Sequence, residues 1–297
     1  MDRHTQFPRL AQKLFNRPLA ITPDKAEVVI AALAERLGVT SIFRADGVVV
    51  RPQGLFYMDD DELQAPDPYR DRGYDLLGPV AVIAVEGTLV QKYAGTLRPE
   101  SGMTGYNGIR QNFLTALTDP KVEAIAFDID SPGGEVAGCF DLVDTIFAAR
   151  GKKPIWAILN ENACSAAYAL ASAADHITMP RTGSAGSIGV IWMHVDFSKA
   201  LAGAGIAVTF VQYGARKSDG APEKALDPEA QKRIQAEINA MGELFVSTVA
   251  RNRKVDPAAI RSTEAGIFLG DAATQIGIID AIAPPDIAFR QLLAALG

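Results

Sequence analysis

The chain has 297 residues, 48% of them hydrophobic and 22% charged, with a formal net charge of -6. That composition is ordinary for a globular protein, and the length suits one main domain with an appendage. The acidic balance argues against an electrostatic nucleic-acid binder. The two cysteines, Cys139 and Cys164, are too few for a disulfide framework, and the three scattered histidines, His4, His176 and His194, form no metal-like cluster. The first residues carry no apolar segment of the signal-peptide kind. No window approaches about 18 uninterrupted apolar residues. The expectation is a cytoplasmic protein with no membrane span, no metal and no cofactor.

Residues 1–75 read as an N-terminal extension. Thr22 and Pro23 suit an N-cap and a first helical position. Val28, Val29, Ala32, Leu33 and Leu37 follow at helical spacing, with Gly38 as a stop. Residues 41–56 have room for short strands, and the Asp-, Pro-, Arg- and Tyr-rich stretch 59–75 reads as a linker. From Pro79 the pattern alternates. Strands are predicted at Val80 to Val85, Ala124 to Ile129 and Ile155 to Leu159. Helices are predicted at Asn107 to Leu117, Val136 to Ala149 and Ala166 to Ala174. Further strands are expected at Ile188 to Val195 and Val208 to Tyr213. Asp227-Pro228 then opens a long helix reaching about Arg253, with Ile234, Ile238, Met241, Leu244, Phe245 and Val249 as its apolar stripe. This order predicts an α/β fold with mostly parallel pairing. The expected organisation is extension and linker at 1–75, a main domain at 76–283 and a C-terminal helix at 284–297.

Four stretches carry chemistry. Asp130-Ser131-Pro132-Gly133-Gly134 joins a buried strand to a helix. Its glycines allow close backbone approach and could aim N–H groups at an oxyanion. A plain turn is the ordinary reading of the same residues. Asn162-Ala163-Cys164-Ser165-Ala166-Ala167-Tyr168 also joins a strand to a helix. Ser165 at a helix N-terminus suits a nucleophile whose substrate becomes an oxyanion, with the N–H of Ala166 as a donor; a simple N-cap is the alternative. Gly214 to Gly220 contains Lys217. It is either a solvated loop lysine or a base, and a base must be neutral, which requires desolvation. Thr182 to Gly189 is rich in small residues, and Ser187 could orient a lysine amine or merely form a turn.

Taken together and in this order, the four stretches resemble the signal peptide peptidase A family of serine peptidases. The phage branch, the head-maturation or capsid assembly proteases, is the most similar. The long helix with Phe245 to Arg253 and the stretch Thr263 to Phe268 also look like that branch. The resemblance covers roughly residues 78–283 and implies these roles. Ser165 is the nucleophile of a serine endopeptidase and Lys217 its general base, forming a Ser/Lys dyad. Ser187 orients the lysine. Backbone N–H groups of Gly133, Gly134 and Ala166 form the oxyanion hole. It implies the spiral of ββα units shared with Clp protease subunits and crotonases, a homo-oligomer, and a protein or peptide substrate such as a phage scaffold, portal or capsid protein. Many members carry Gly after the nucleophile, whereas this chain has Ala166 and Ala167.

Other readings stay open from sequence. A Ser165/His176/Asp196 triad is possible in principle, since triads are recognised by geometry. Cys164 is a minor alternative nucleophile. A crotonase-fold acyl-CoA enzyme would share the architecture, and a scaffold or assembly factor would need no chemistry at all.

Overall fold

The computed structural model describes residues 18–22, 42–43, 49–50, 73–91 and 102–297. The helix expected after Thr22 and most of the expected linker lie outside the described residues. Between them, β2 (Ile42–Phe43) and β3 (Val49–Val50) pair antiparallel within the stretch expected to hold short strands.

Three long strands form the middle of the main sheet. They are β5 (Val80–Val90), β7 (Ala124–Glu135) and β8 (Ile155–Cys164). All pair in parallel, in the order β5-β7-β8. Their side chains alternate between two faces, as a period of two requires. Ala81, Ile83 and Val85, with Ile125, Phe127, Ile129, Ile155, Ala157 and Leu159, face the main core. Val80, Ala124, Ala126 and Ile158 face a smaller second core under the C-terminal helix α8 (Pro285–Ala295), which supplies Ala288 and Leu292. Small alanines on β7 let α8 lie close.

Each long strand runs further than its apolar run predicts. β5 extends to Val90, β7 to Glu135 and β8 to Cys164. The extensions follow irregularities that bend the strands. The β5–β7 register shifts between Glu86 and Thr88, and the β7–β8 register between Ile129 and Ser131. At the first shift Gly87 has φ 63°, and an added Cβ would stand 2.3 Å from the carbonyl oxygen of Gly102. At the second, the buried Ser131 hydroxyl donates to the Gly87 carbonyl at 2.7 Å and accepts from the Gly133 N–H at 3.2 Å. Beyond the bends the strands take new partners. The start of β8 pairs with β9 (His176–Met179), while its end pairs with β10 (Ser184–Gly186). β6 (Met103–Gly105) joins the end of β5, and β11 (Ile267–Leu269) pairs antiparallel with β10. β4 (Asp75–Leu77) lies antiparallel on β5, and β12 (Ala281–Ile282) parallel to β9. The sheet thus winds through strand, strand and helix, the spiral α/β arrangement expected.

Helices α1 (Tyr106–Thr118), α2 (Cys139–Phe147) and α3 (Ala166–Ser172) connect these strands. Every residue of α3 is buried, and its alanines permit that central position. The long helix α5 (Pro228–Arg253) is capped by Asp227, whose carboxylate accepts from the N–H groups of Glu229 and Ala230 at 2.9 and 3.0 Å. Its expected stripe is only half realised. Phe245 and Val249 are buried, but Ile234, Ile238 and Met241 are half-buried and Leu244 is exposed.

Two expected strands do not form. Ile188 to Val195 forms no strand and, among the described residues, makes one bridge, between Ile191 and Leu19. Val208 to Tyr213 has no strand partner among the described residues, and Val211 and Tyr213 are 97% and 102% exposed. The short α4 (Ser198–Gly203) lies between them. Helices α6 (Pro257–Arg261) and α7 (Gly270–Ile276) complete the chain. Among the described residues no helix is long and apolar enough to cross a membrane.

Candidate active site

Ser165 is the turning point between β8 and α3. Its backbone sits at φ 57°, ψ -122°, a conformation that L-residues rarely adopt. Two bonds hold it there. Its N–H donates to the Gly186 carbonyl at 2.8 Å, and its own carbonyl accepts from the Ala169 N–H at 2.9 Å, opening the helix. The hydroxyl does not cap α3. It points instead to the Gly189 carbonyl, 3.4 Å away. The N-cap reading of Ser165 therefore fails, because the strained backbone turns Oγ away from the helix end. Ala166 is the first residue of α3 and fully buried. N–H groups in that first turn have no acceptor within the helix.

Gly133 lies directly against this turn. Its φ is 103°, and a Cβ built on it would stand 3.0 Å from both the Cys164 carbonyl oxygen and Ser165 Cβ. Gly134 faces the other way, with its Cβ position 1.9 Å from the Leu89 carbonyl oxygen. Both positions exclude any side chain, so the glycine pair is a packing requirement as well as a source of backbone donors. Ser187, 8% exposed at φ 52°, follows Gly186, which pairs with Cys164. The structure thus brings Ser165, Ala166, Gly133, Gly134 and Ser187 together.

Polar side chains lock these stretches in place. Asn162 donates to Asp130 at 3.1 Å and accepts from the Ser184 hydroxyl at 2.8 Å. That chain of contacts ties the ends of β7, β8 and β10 to one another. Sequence reading quoted all three residues inside motifs but assigned them no role.

Lys217 is not brought to Ser165. It occupies an exposed turn after the irregular 206–212 stretch, its backbone N–H donating to the Gly214 carbonyl at 3.1 Å. Among the described residues its amine makes no hydrogen bond or ion pair. The neighbouring Lys224 is more enclosed, donating to Ser218 Oγ at 2.7 Å with its amine 5.7 Å from the Phe210 ring centroid.

The alternatives read from sequence do not assemble. His176 pairs with Trp156 near the start of β8, whereas Ser165 lies beyond its end. The His176 ring packs tilted against Trp156, centroids 4.2 Å apart, and its Nδ1 stands 3.8 Å from Asp280. Asp196 accepts from the Ser198 backbone at 2.8 Å instead of orienting a histidine. His194 stacks on Trp192 and approaches the Lys224 carbonyl at 3.3 Å. Cys164 is 2% exposed; burial pushes its thiol up, and a hydrogen bond to Ser184 counters this only in part. Burial likewise pushes the Cys139 thiol up to about 12. Neither supplies a thiolate nucleophile. Among the described residues no cluster of His, Cys, Asp or Glu is arranged for a metal.

One neighbour of the site was missed. β1 (Leu19–Ile21) pairs antiparallel with the end of β7, placing Ile21 opposite Gly133 and Ala20 opposite Gly134. The only sequence signal is an apolar triplet before Thr22, too short to mark a strand by periodicity.

Residues 148–295 match the model of peptidase family S49. The chain is 37% identical over 282 residues to the head-tail preconnector protein GP5 of Enterobacteria phage P21, covering 95% of this chain and 56% of that protein. It is 36% identical over 279 residues to the capsid assembly protease C of Escherichia phage lambda, covering 92% and 62%. The chain therefore spans less than two thirds of the length of either relative. Among solved structures, a ClpP1 mutant from Listeria monocytogenes aligns with a TM-score of 0.41 and 16% identity, over 68% of this chain and 90% of that one. The chain thus carries a peptidase family S49 domain, matched over residues 148–295.

Proposed function

We propose that the chain is a serine endopeptidase that cleaves through an acyl-enzyme on Ser165, with Lys217 as its base and phage head proteins as its substrates. The observation that carries this reading is the strained turn at Ser165, which turns its hydroxyl away from the helix cap and sets its Cβ beside Gly133. In the reaction, the neutral Lys217 amine takes the Oγ proton as the oxygen bonds to the peptide carbonyl carbon. The carbonyl electron pair moves to its oxygen, which the N–H groups of Ala166 and of Gly133 or Gly134 receive. One such donor is worth about 2.7–4 kcal/mol of barrier. Collapse breaks the C–N bond, and the lysine proton passes to the leaving amine. A water molecule then hydrolyses the ester by the same route. No metal or cofactor is needed.

For Lys217 to act, residues 205–217 must fold over the site, with Ser187 orienting the amine. Ile206, Val208, Phe210, Val211 and Tyr213 are exposed along that stretch, which supports a homo-oligomer that covers them. The names of the two phage relatives support a capsid, portal or scaffold substrate. The site of action would be the host cytoplasm or the procapsid.

The test is intact-mass spectrometry after a fluorophosphonate probe on wild type, Ser165→Ala and Lys217→Met. One adduct is expected on wild type and none on Ser165→Ala. Lys217→Met should label about 100-fold more slowly or worse, the usual weight of a general base. The wild-type rate should rise with pH, because only the neutral amine accepts a proton. Labelling that persists in Ser165→Ala would sink the assignment.

A further inference from the structure

β8 ends at Cys164, and the chain turns at Ser165 into α3. Beyond that point one edge of β7, from Gly133 to Glu135, is left without β8, and β1 covers it. Thr22 N–H donates to the Pro132 carbonyl at 3.1 Å, continuing the pairing. On its other edge β1 meets the 188–195 stretch. Leu19 and Ile191 exchange both backbone hydrogen bonds, each 2.9 Å. Leu19, Ala20 and Ile21 are 1%, 1% and 3% exposed. A short extended segment, bonded on both edges and seated beside a nucleophile, is how a peptide binds as an added strand.

The seat is also specific in position. The Cβ site of Gly133 stands 2.2 Å from the Ala20 carbonyl oxygen and 3.0 Å from Ser165 Cβ, so that carbonyl and the nucleophile meet around the same glycine. In the same arrangement Ser165 is only 1% exposed.

We propose that residues 18–22 act as an internal pseudo-substrate: Leu19-Ala20-Ile21 fills the peptide groove of Ser165 as an added strand and must leave before a substrate enters. This rests on the reading of Ser165 as nucleophile. The strap also states the substrate class. The groove takes an extended segment with a small residue, Ala20 here, whose carbonyl lies against Gly133, flanked by aliphatic residues such as Leu19 and Ile21. Ala20 lies in the main core cluster, which limits the size of the side chain at that position.

The test uses the full chain. Initial rates of fluorophosphonate labelling are measured by intact mass for wild type, Leu19→Asp and Ile21→Asp, with circular dichroism to establish that each is folded. Either aspartate would have to be buried without a partner, so the strap leaves the groove. If it covers Ser165 in about nine molecules of ten, unseating it raises the rate about tenfold. A synthetic peptide of residues 16–24 added to Leu19→Asp should slow labelling again, and the same peptide carrying Ala20→Asp should not. Should either variant fail to fold, the peptide competition is run on the other, or on wild type. Equal rates in wild type and both variants, all dependent on Ser165, would overturn the strap and leave the nucleophile standing. If no folded form labels, the nucleophile reading fails instead. Fluorescence anisotropy of a dye-labelled 16–24 peptide on Ile21→Asp then decides the groove: binding keeps it, and no binding removes it.

Discussion

Replacing Ser165 by glycine should stabilise the protein relative to replacing it by alanine, reversing the usual order of those two residues. A non-glycine residue held in a sparsely populated backbone region costs about 1–3 kcal/mol. Ser165, at φ 57° and ψ -122°, is such a residue. Alanine keeps the Cβ and therefore keeps the strain. Glycine removes it, but it gives the unfolded chain extra freedom, a cost of about 0.5–1 kcal/mol relative to alanine. Both substitutions lose the same contact from Oγ to Gly189, at 3.4 Å too long to contribute much. The difference between the two variants thus isolates the backbone term, and Ser165→Gly should exceed Ser165→Ala by about 1 kcal/mol. In a chain of this size that corresponds to a melting temperature about 2–4 °C higher. Urea unfolding with a common m-value, or calorimetry at matched concentration, reads it directly. Both variants should be inert to a fluorophosphonate. If Ser165→Gly is the less stable by about 0.5–1 kcal/mol, the ordinary penalty for glycine, then the turn stores no strain and the case for a site built at functional cost falls with it.

Ser131→Ala removes a buried hydroxyl that joins the Gly87 carbonyl to the Gly133 N–H. It should cost about 1–3 kcal/mol in urea unfolding, since a buried carbonyl loses its partner. It should also slow labelling of Ser165, because Gly133 loses its tether; unchanged labelling would separate the bulge from the site. Asp280 is pulled two ways. Burial opposes its ionisation, but Arg253, in a bidentate contact at 3.0 and 2.7 Å, and the Ile177 N–H at 2.7 Å hold its carboxyl below the usual range. A depressed carboxylate contributes stability above its unfolded value, about 3.9, and loses it as pH falls through the lower folded value. Asp280→Asn should therefore lower stability at neutral pH by about 1–3 kcal/mol and flatten the acid limb of the stability curve. Parallel curves for the two proteins below about pH 4 would refute that role.

The strand-and-helix alternation was legible because short, mostly apolar and mostly buried runs such as Val80 to Val85 and Ala124 to Ile129 need no partner information to be recognised. Their continuations were not. Glu86 to Val90, Asp130 to Glu135 and Asn160 to Cys164 mix polar residues and glycines, so they read as loops. They are strands because bends at Gly87 and Ser131 deliver them to new neighbours. The motifs of the site lie in these continuations. Local sequence therefore named Ser165, Gly133 and Gly134 while giving no hint that the residues between the core run and the motif were paired.

The stretches at Ile188 to Val195 and Val208 to Tyr213 mark the same limit from the other side. Both have the composition of strands, and neither becomes one. β-propensity measures fitness for a pleated, half-buried surface, and it is realised only where an edge is offered. Ile191 finds such an edge in Leu19, a residue remote in sequence, and stops at one bridge. Val211 and Tyr213 find none and stand in solvent. Lys217 follows that second stretch, so its place depends on a surface that the stretch does not meet among the described residues. Ser165, by contrast, is fixed by neighbours whose register is complete. Under the proposed roles the nucleophile is built into the fold and the base hangs on a segment with no strand partner among the described residues, so full activity would await both a vacated groove and a covered segment.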